Sequence, residues 1–487
     1  MESSYRKSAT DTIIVGASTL AVFLVGLIQL PLLTKMLGAH AYGIWTQVQA
    51  TLGLILPFAG LGLTYAMMRF LAAEKNREEI QEGFYSVVSV LSLVGLVISL
   101  VVIIFARPLA MNFFDGAVQI VRIAGVIIFF DSVTPAYLNL IRAFQQIRRY
   151  SVFMAGEACL RVAVFAGLVL SGHDILSVIL ALLAIKVVLL SVLFFLIKAQ
   201  IGIKKPHFSR IREYFSFGLP TVPRSIGYWL VHLSDRYVIS FFLGVTPVGI
   251  YSAAYGIGYL PCTIMTVLTF VLFATLSQLY DEGRLDEVRT HLSYSLKYYL
   301  AIAIPFFFGA VILGKQVLRL FTTPEIANGG YLVIYIVALG FLLYGVHNII
   351  SHILFLVKKT KVLLWTWLAA AALNLGLNLW LVPLIGIIGA AITSLIAFIL
   401  ALGVVSYYSF KEFRFKIDWY FITKSLIASA IMSLAVWLMA PQGNLDTILV
   451  VVAGVVIYSV VLFLLRGFDR EEIRFFWGLF RKRTALR

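Results

Sequence analysis

Leu37-Gly38-Ala39-His40-Ala41-Tyr42-Gly43-Ile44-Trp45 returns far down the chain as Leu243-Gly244-Val245-Thr246-Pro247-Val248-Gly249-Ile250-Tyr251. Both copies keep a Leu-Gly pair, a second glycine five residues on and an aromatic residue two beyond it. Glycine permits turn dihedrals and close helix approach, so each copy reads as a tight re-entry between two membrane spans. The first copy joins spans one and two, and the second joins spans seven and eight. Six spans separate them, an even number, so the two copies share one orientation. Parallel repeats of six helices predict two lobes related by a pseudo-two-fold axis along the membrane normal, with a cavity between them.

Composition demands the membrane. Apolar residues make up 61% of the chain and charged ones 13%, where soluble domains carry about 45–50% and about 25%. Apolar runs of about 20 residues recur along nearly the whole chain, each long enough to cross a bilayer as a helix. In lipid the backbone must satisfy its own hydrogen bonds, so the fold class is an all-α polytopic membrane protein of about fourteen transmembrane helices. Residues 1–200 would form the first lobe and 201–411 the second. Residues 412–487 would add two further helices and a basic amphipathic tail. The first apolar run is too long for a signal peptide and lacks a cleavage site. Cys159 and Cys262 stand alone inside apolar runs, which predicts small buried packing residues and no disulfide or metal site.

The net charge of +16 does not call for nucleic acid, because the cations fall in alternate loops. Arg69 and Arg77, then Arg142, Arg148 and Arg149, then Lys198, Lys204, Lys205, Arg210 and Arg212 lie on one side, and the series continues to the C-terminal tail. The intervening loops carry only Lys35, Arg107, Lys315 and Arg319. By the positive-inside rule both termini are cytoplasmic, in an inner or plasma membrane, with anionic lipid beside the basic face. Outer loops are short, the longest being around 108–118 and 322–330. On the inner side, 284–292 and 470–480 read as interfacial amphipathic helices.

Charges inside spans cost about 2.5–3.5 kcal/mol each on insertion scales, so they face one another or an aqueous cavity. Here they crowd into the middle of the chain: Arg122 and Asp131 in span four, Glu157 and Arg161 in span five, Lys186 in span six, and Arg224, Asp235 and Arg236 in span seven. Glu157 and Arg161 are spaced i to i+4, at salt-bridging distance on one helix face. Arg224, Tyr228 and Asp235 form a polar stripe, with His232 and Arg236 beside it. Five cations against three carboxylates leave a net positive cavity suited to a pyrophosphate, which guanidinium groups clamp in bidentate fashion. Arg161, Arg224, Lys186, Arg236, Arg122, Tyr228 and His232 are therefore candidate substrate ligands. Placement of Arg122 near the outer interface and snorkelling of Arg236 are the competing accounts of those two. Asp131, Glu157 and Asp235 are candidate sites for a coupling H+ or Na+; no other cofactor and no metal is expected. Pro220 and Pro223 predict a kink or broken turn at the inner end of span seven. Asn374 and Asn378, with His347, Asn348 and His352, suit helix cross-linking or the binding of sugar hydroxyls.

Pro31-Leu32-Leu33-Thr34-Lys35-Met36-Leu37-Gly38 running into Tyr42-Gly43-Ile44-Trp45 resembles the first helix of polysaccharide-transporter flippases. Phe217-Gly218-Leu219-Pro220, Ser234-Asp235-Arg236-Tyr237 and Gly249-Ile250-Tyr251-Ser252-Ala253-Ala254-Tyr255 follow that family's central pattern in order. Asn374 to Asn378, Pro383 and Gly386-Ile387-Ile388-Gly389-Ala390-Ala391 are similar to its late-helix segment. The resemblance covers nearly the whole chain and implies the Wzx-type branch of the MOP superfamily that also holds MATE exporters and the MurJ lipid II flippase. It further implies alternating access on a polyprenyl-pyrophosphate-linked oligosaccharide, for cell-surface polysaccharide or glycan assembly. Membrane lipids would be neighbours, and a glycan polymerase or glycosyltransferase machinery a possible partner. Catalysis is not expected, since no Walker motif, HExxH or nucleophile elbow occurs. A MATE-like ion-coupled small-molecule exporter and a non-transporting scaffold are the alternatives; a cationic cargo would favour an acidic cavity.

Overall fold

The structure, a computed structural model, describes residues 2–72, 74, 76–469 and 472. Side chains are described over these except for most of 2–20, Arg224, Tyr228 and part of 264–274. The expected amphipathic helix over 470–480 lies outside the described residues apart from Glu472.

The described chain is helical nearly throughout. Helix α1 (Glu2–Gly60) bends at Gly38, whose φ of 82° only glycine adopts freely, so it consists of two arms. It is followed by α2 (Leu63–Leu71), α3 (Arg77–Ile104), α4 (Ala106–Phe113), α5 (Val118–Ala143), α6 (Ile147–Leu170) and α7 (Ile175–Ile201). The second half holds α8 (Ile211–Gly218), α9 (Val222–Leu243), α10 (Val245–Gly258), α11 (Leu260–Asp281), α12 (Leu285–Phe321), α13 (Pro324–Leu356), α14 (Thr360–Ile385) and α15 (Ile387–Glu412). Two last helices, α16 (Trp419–Met439) and α17 (Asn444–Leu464), pack on each other.

Eleven helices among the described residues are long and apolar enough to span a membrane. One of the eleven is the bent α1; α9 carries three charges and α10–α11 is interrupted before Pro261. About fourteen crossings are compatible with this, and the protein is an all-α, multi-pass membrane protein. The exposed face of α17 is apolar, with Val452, Val455, Val456 and Phe463 all outward, as a lipid-facing helix requires.

Local signals account for the helix ends. Asn76 caps α3 by accepting from the Glu78 N–H at 3.0 Å, and Glu78 and Glu79 sit in the first turn, where the helix dipole favours anions. Asp418 caps α16 in the same way. Pro220 and Pro223 break the inner end of span seven into α8, a single 3-10 turn and α9, the break expected from the sequence. Three details differ from the sequence reading. The stretch at 108–118 contains the short helix α4, because Asn112 and the turn at Asp115 and Gly116 close it. Residues 284–292 form no separate interfacial helix; from Leu285 they run straight into α12, whose 37 residues continue to the far side. Cys262 is buried, but Cys159 faces outward on α6.

The chain forms two compact units. The first comprises 1–253, 321–325 and 367–393. Its core joins Leu33, Trp45 and Val48 of α1 to Ile127 and Ile128 of α5 and Phe165 of α6. Small residues let its helices approach: a methyl on Gly95 of α3 would stand 2.8 Å from Ser132 of α5, and Ser99 donates to the Gly125 carbonyl at 2.6 Å. The second unit comprises 254–320, 326–366 and 394–487. Its core gathers Leu292 and Tyr299 of α12, Ile349 and Ile353 of α13, Phe421 of α16 and Tyr458 of α17.

Candidate functional site

The repeated turns meet each other. Gly38 and Gly244 share one backbone conformation, φ 82° with ψ −179° and φ 84° with ψ 179°. A methyl group added at Gly43 would strike the Val245 carbonyl, and one at Gly249 would strike the Ala39 carbonyl. The register that lays Gly43 on Gly249 also lays Ala39 on Val245, so the two contacts are the same contact seen from either copy. Such reciprocity is what a two-fold relation between repeats produces at its axis.

From that point α1 and α9 stay in contact along their lengths. Thr51 and the Tyr237 hydroxyl are 2.6 Å apart, the Trp229 indole donates to the Ala50 carbonyl at 2.8 Å, and Gly53 lies under Trp229 and Leu233. At the far end the backbones of Gly62 and Gly218 meet. The loops sort by charge as the alternation requires. Asp115 accepts from the Val245 N–H at 3.2 Å and lies 3.4 Å from His40, three cation-poor loops together. At the opposite end Lys204 bridges Glu78 and Glu82, which together hold its ammonium above its ordinary pKa.

Three neighbouring helices of the first repeat bring together Asp131 (α5), Glu157 (α6) and Lys186 (α7). The Lys186 ammonium is 2.9 Å from Asp131 and 2.7 Å from Glu157, and the three side chains are 12–14% exposed. Glu157 therefore pairs across helices with Lys186, and among the described residues it makes no ion pair with Arg161, the i+4 partner expected from spacing. Arg161 stands one turn along α6 with its Nε buried and without a hydrogen-bond acceptor, while its charge bears on Asp131. Two cations and two carboxylates make this cluster neutral overall.

The second cluster belongs to α9 and α10. The Asp235 carboxylate takes the Arg236 guanidinium at 2.7 Å and a hydrogen bond from the Tyr251 hydroxyl, and Arg236 also donates to the His232 carbonyl at 2.6 Å. Arg236 lies over the Tyr251 ring at 5.2 Å, a cation–π contact. Asp235, Arg236 and His232 are all buried. Arg236 thus does not snorkel, and this cluster is neutral too.

The surplus of five cations over three acids consequently does not gather in one place. Lys186 and Arg236 are each matched by carboxylates, and Arg122 lies exposed on α5, away from both clusters. The side chains of Arg224 and Tyr228, the remaining members of the α9 stripe, lie outside the described ones. Asn374 donates to the Thr393 hydroxyl at 3.4 Å, cross-linking α14 to α15, and Asn378 donates to Asn374 at 3.1 Å. Sequence reading passed over Gln47, which is fully buried in α1 with neither amide atom hydrogen-bonded. An uncharged amide in an apolar run, the signal that marks Asn374 and Asn378, was available at Gln47 as well.

The family model described as "Polysaccharide biosynthesis protein" matches residues 8–280. The chain belongs to this polysaccharide biosynthesis family. A second model, described as MatE, matches residues 220–380. The chain is 24% identical over 449 residues to the probable low-salt glycan biosynthesis flippase Agl15 of Haloferax volcanii, covering 88% of this chain and 90% of that one. The probable flippase AglR of the same organism is 26% identical over 246 residues, covering 49% and 52%. Among solved structures it is similar to the lipid II flippase MurJ in an inward closed conformation, with a TM-score of 0.79, 18% identity and coverage of 93% of this chain and 99% of that one. A MATE family multidrug transporter of the MOP superfamily, inward-facing, follows at a TM-score of 0.68 and 16% identity, covering 81% and 94%. At such identities these structures speak to the fold alone, and the fold is the one that the sequence resemblance implies.

Proposed function

We propose that this protein is a flippase, without catalytic activity, that carries a polyprenyl-pyrophosphate-linked glycan from the cytoplasmic to the outer leaflet of the cell membrane by alternating access of its two repeats. Both termini would be cytoplasmic. Kinship with glycan flippases supports the cargo class, and the loop charges support the orientation. The observation that carries the reading is Arg161, a guanidinium within a membrane-spanning helix whose Nε has no protein acceptor. A charge placed at that cost in a span faces a functional demand, and a phosphate oxygen supplies the missing acceptor.

In this proposal the pyrophosphate enters beside Arg161 and draws Lys186 from its two carboxylates. Asp131 or Glu157, relieved of the ammonium, then takes up H+ or Na+, which couples cargo to ion. Asp235 is engaged by Arg236 and Tyr251 and is the weakest of the three coupling candidates. The reciprocal Gly43 and Gly249 contact would part when the site opens outward. The division into lobes at 1–200 and 201–411, with 412–487 appended, belongs to this proposal. The neutral sum of each cluster and the MatE match over 220–380 favour an ion-coupled small-molecule exporter as the second reading.

Reconstituted vesicles carrying a fluorescent polyprenyl-pyrophosphate oligosaccharide separate the readings. Leaflet transfer by the wild type, reduced at least about tenfold by Arg161→Ala and by Arg224→Ala with folding intact, is the expected result. Transfer unaffected by Arg161→Ala would remove the site assignment. Absence of wild-type transfer, with efflux of a cationic dye instead, would establish the exporter.

A further inference from the structure

Away from both clusters, a groove of about 630 Å³ opens between the start of α6 and the end of α7, at the cation-rich end. Arg148, Arg149, Val152, Phe153, Leu196 and Gln200 are among the residues that line it. Val152 is 63% exposed, so the groove is open on the side where an apolar surface must meet lipid. No carboxylate lines it.

The two arginines differ from several other cations of the basic loops. Lys204, Arg210, Arg284, Arg289 and Lys359 each stand within 4 Å of a carboxylate. Among the described residues neither Arg148 nor Arg149 makes an ion pair; Arg149 donates only to the Gln146 side chain, at 2.9 Å. They also occupy the first turn of α6, where the helix dipole disfavours cations, and Gln146 supplies no side-chain cap. Two adjacent guanidinium groups and an uncapped helix start converge above an apolar trough. The Gln200 side-chain oxygen, buried and without a hydrogen-bond partner, adds an acceptor beside them.

We infer that this groove binds an anionic phospholipid of the cytoplasmic leaflet, its phosphate held by Arg148 and Arg149 and its acyl chain lying along Val152 and Leu196. Charge complementarity selects the headgroup, since a zwitterionic lipid offers the arginines a phosphate compensated by its own cation. The buried Gln200 oxygen suits a hydroxyl donor such as that of a glycerol headgroup. The inference stands whether or not the protein moves glycans, because it uses no residue of the proposed cargo site.

Full-length protein in phosphatidylcholine nanodiscs doped with phosphatidylglycerol provides the test, with retained lipid read by native mass spectrometry. The Arg148→Gln/Arg149→Gln variant should retain about tenfold less phosphatidylglycerol, while Arg284→Gln/Arg289→Gln, which removes equal charge from carboxylate-paired arginines, should match the wild type. Leu196→Trp, which fills the trough and leaves the charge unchanged, should also lose the lipid, and it decides the matter if the double variant misfolds. Equal retention by the groove variants and the wild type would overturn the inference. So would equal loss in the two double-arginine variants, or displacement of phosphatidylglycerol by a polyprenyl pyrophosphate, which would assign the groove to the cargo path.

Discussion

Arg236 and Lys186 are both cations inside membrane-spanning helices, and their surroundings differ in kind. Arg236 is 7% exposed and Asp235 is not exposed at all; the pair is adjacent in sequence and closed in by Tyr251 and the His232 carbonyl. Lys186 is 14% exposed and draws its two carboxylates from two other helices, with the unsatisfied Arg161 close by. The first arrangement is buried and its two charges are neighbours in sequence, held on one helix with a hydroxyl from the next. The second depends on three helices keeping their spacing, so a shift among α5, α6 and α7 changes it. Sealed charge points to structure, and charge that is shared, accessible and incompletely bonded points to function.

The largest expected effect comes from breaking the sealed pair. Asp235→Ala leaves a buried guanidinium without its counter-charge, which costs about 3–5 kcal/mol. Thermal unfolding in detergent should show a large drop, and much of the protein should be lost on extraction. Asp235→Ala with Arg236→Met should recover most of that loss, since replacing both partners of a buried pair by apolar groups is close to neutral. A single variant as stable as the wild type would mean that water or lipid headgroups reach Arg236, and the contrast with Lys186 would vanish.

Lys186→Met sharpens the comparison from the other side. Two carboxylates then face each other, and one takes up a proton to relieve the repulsion, so stability should fall less than in Asp235→Ala. If Lys186 exchanges partners as proposed, transfer of the proposed lipid-linked cargo should fall at least about tenfold. Stability loss as large as that of Asp235→Ala, with transfer per folded molecule unchanged, would make this cluster structural as well.

Much of the fold was legible because membrane physics writes it in one dimension. Span length, alternate loop charge and the Gly38/Gly43 repeat rest on periodicity and residue type, and the reciprocal Gly43 and Gly249 contact follows from the repeat. The partners of charges were less legible. Spacing places Glu157 beside Arg161 on one helix, but a residue on α7 competes for the same carboxylate, and only helix packing decides the winner. The same holds for the supposed positive surplus: residue counts add Arg122 to the total, although it is exposed on α5 while Lys186 and Arg236 are paired with carboxylates. Helix interruptions were legible where proline or the repeated glycines caused them, as at Pro220, Pro223, Gly38 and Gly244, while the helix at α4 rests on a turn that hydropathy does not register.

The smallest effect is expected at a carboxylate with neither burial nor function. Asp174 precedes α7 outside the span, accepts from the Ser177 N–H at 3.1 Å and from its hydroxyl at 2.9 Å, and these bonds hold its carboxyl below the usual range. A carboxyl with a depressed folded-state pKa contributes stability above its unfolded value, about 3.9, and that contribution is lost as pH falls through the folded value. Asp174→Ala should therefore lower stability by about 1 kcal/mol at neutral pH and by progressively less in acid. Asp174→Asn, which keeps a capping oxygen but cannot ionise, should retain most of the stability and lose the acid dependence. Cargo transfer should be unchanged in both variants. An effect here as large as that of Lys186→Met would mean that the start of α7, and not the charges around Lys186, controls the three-helix group.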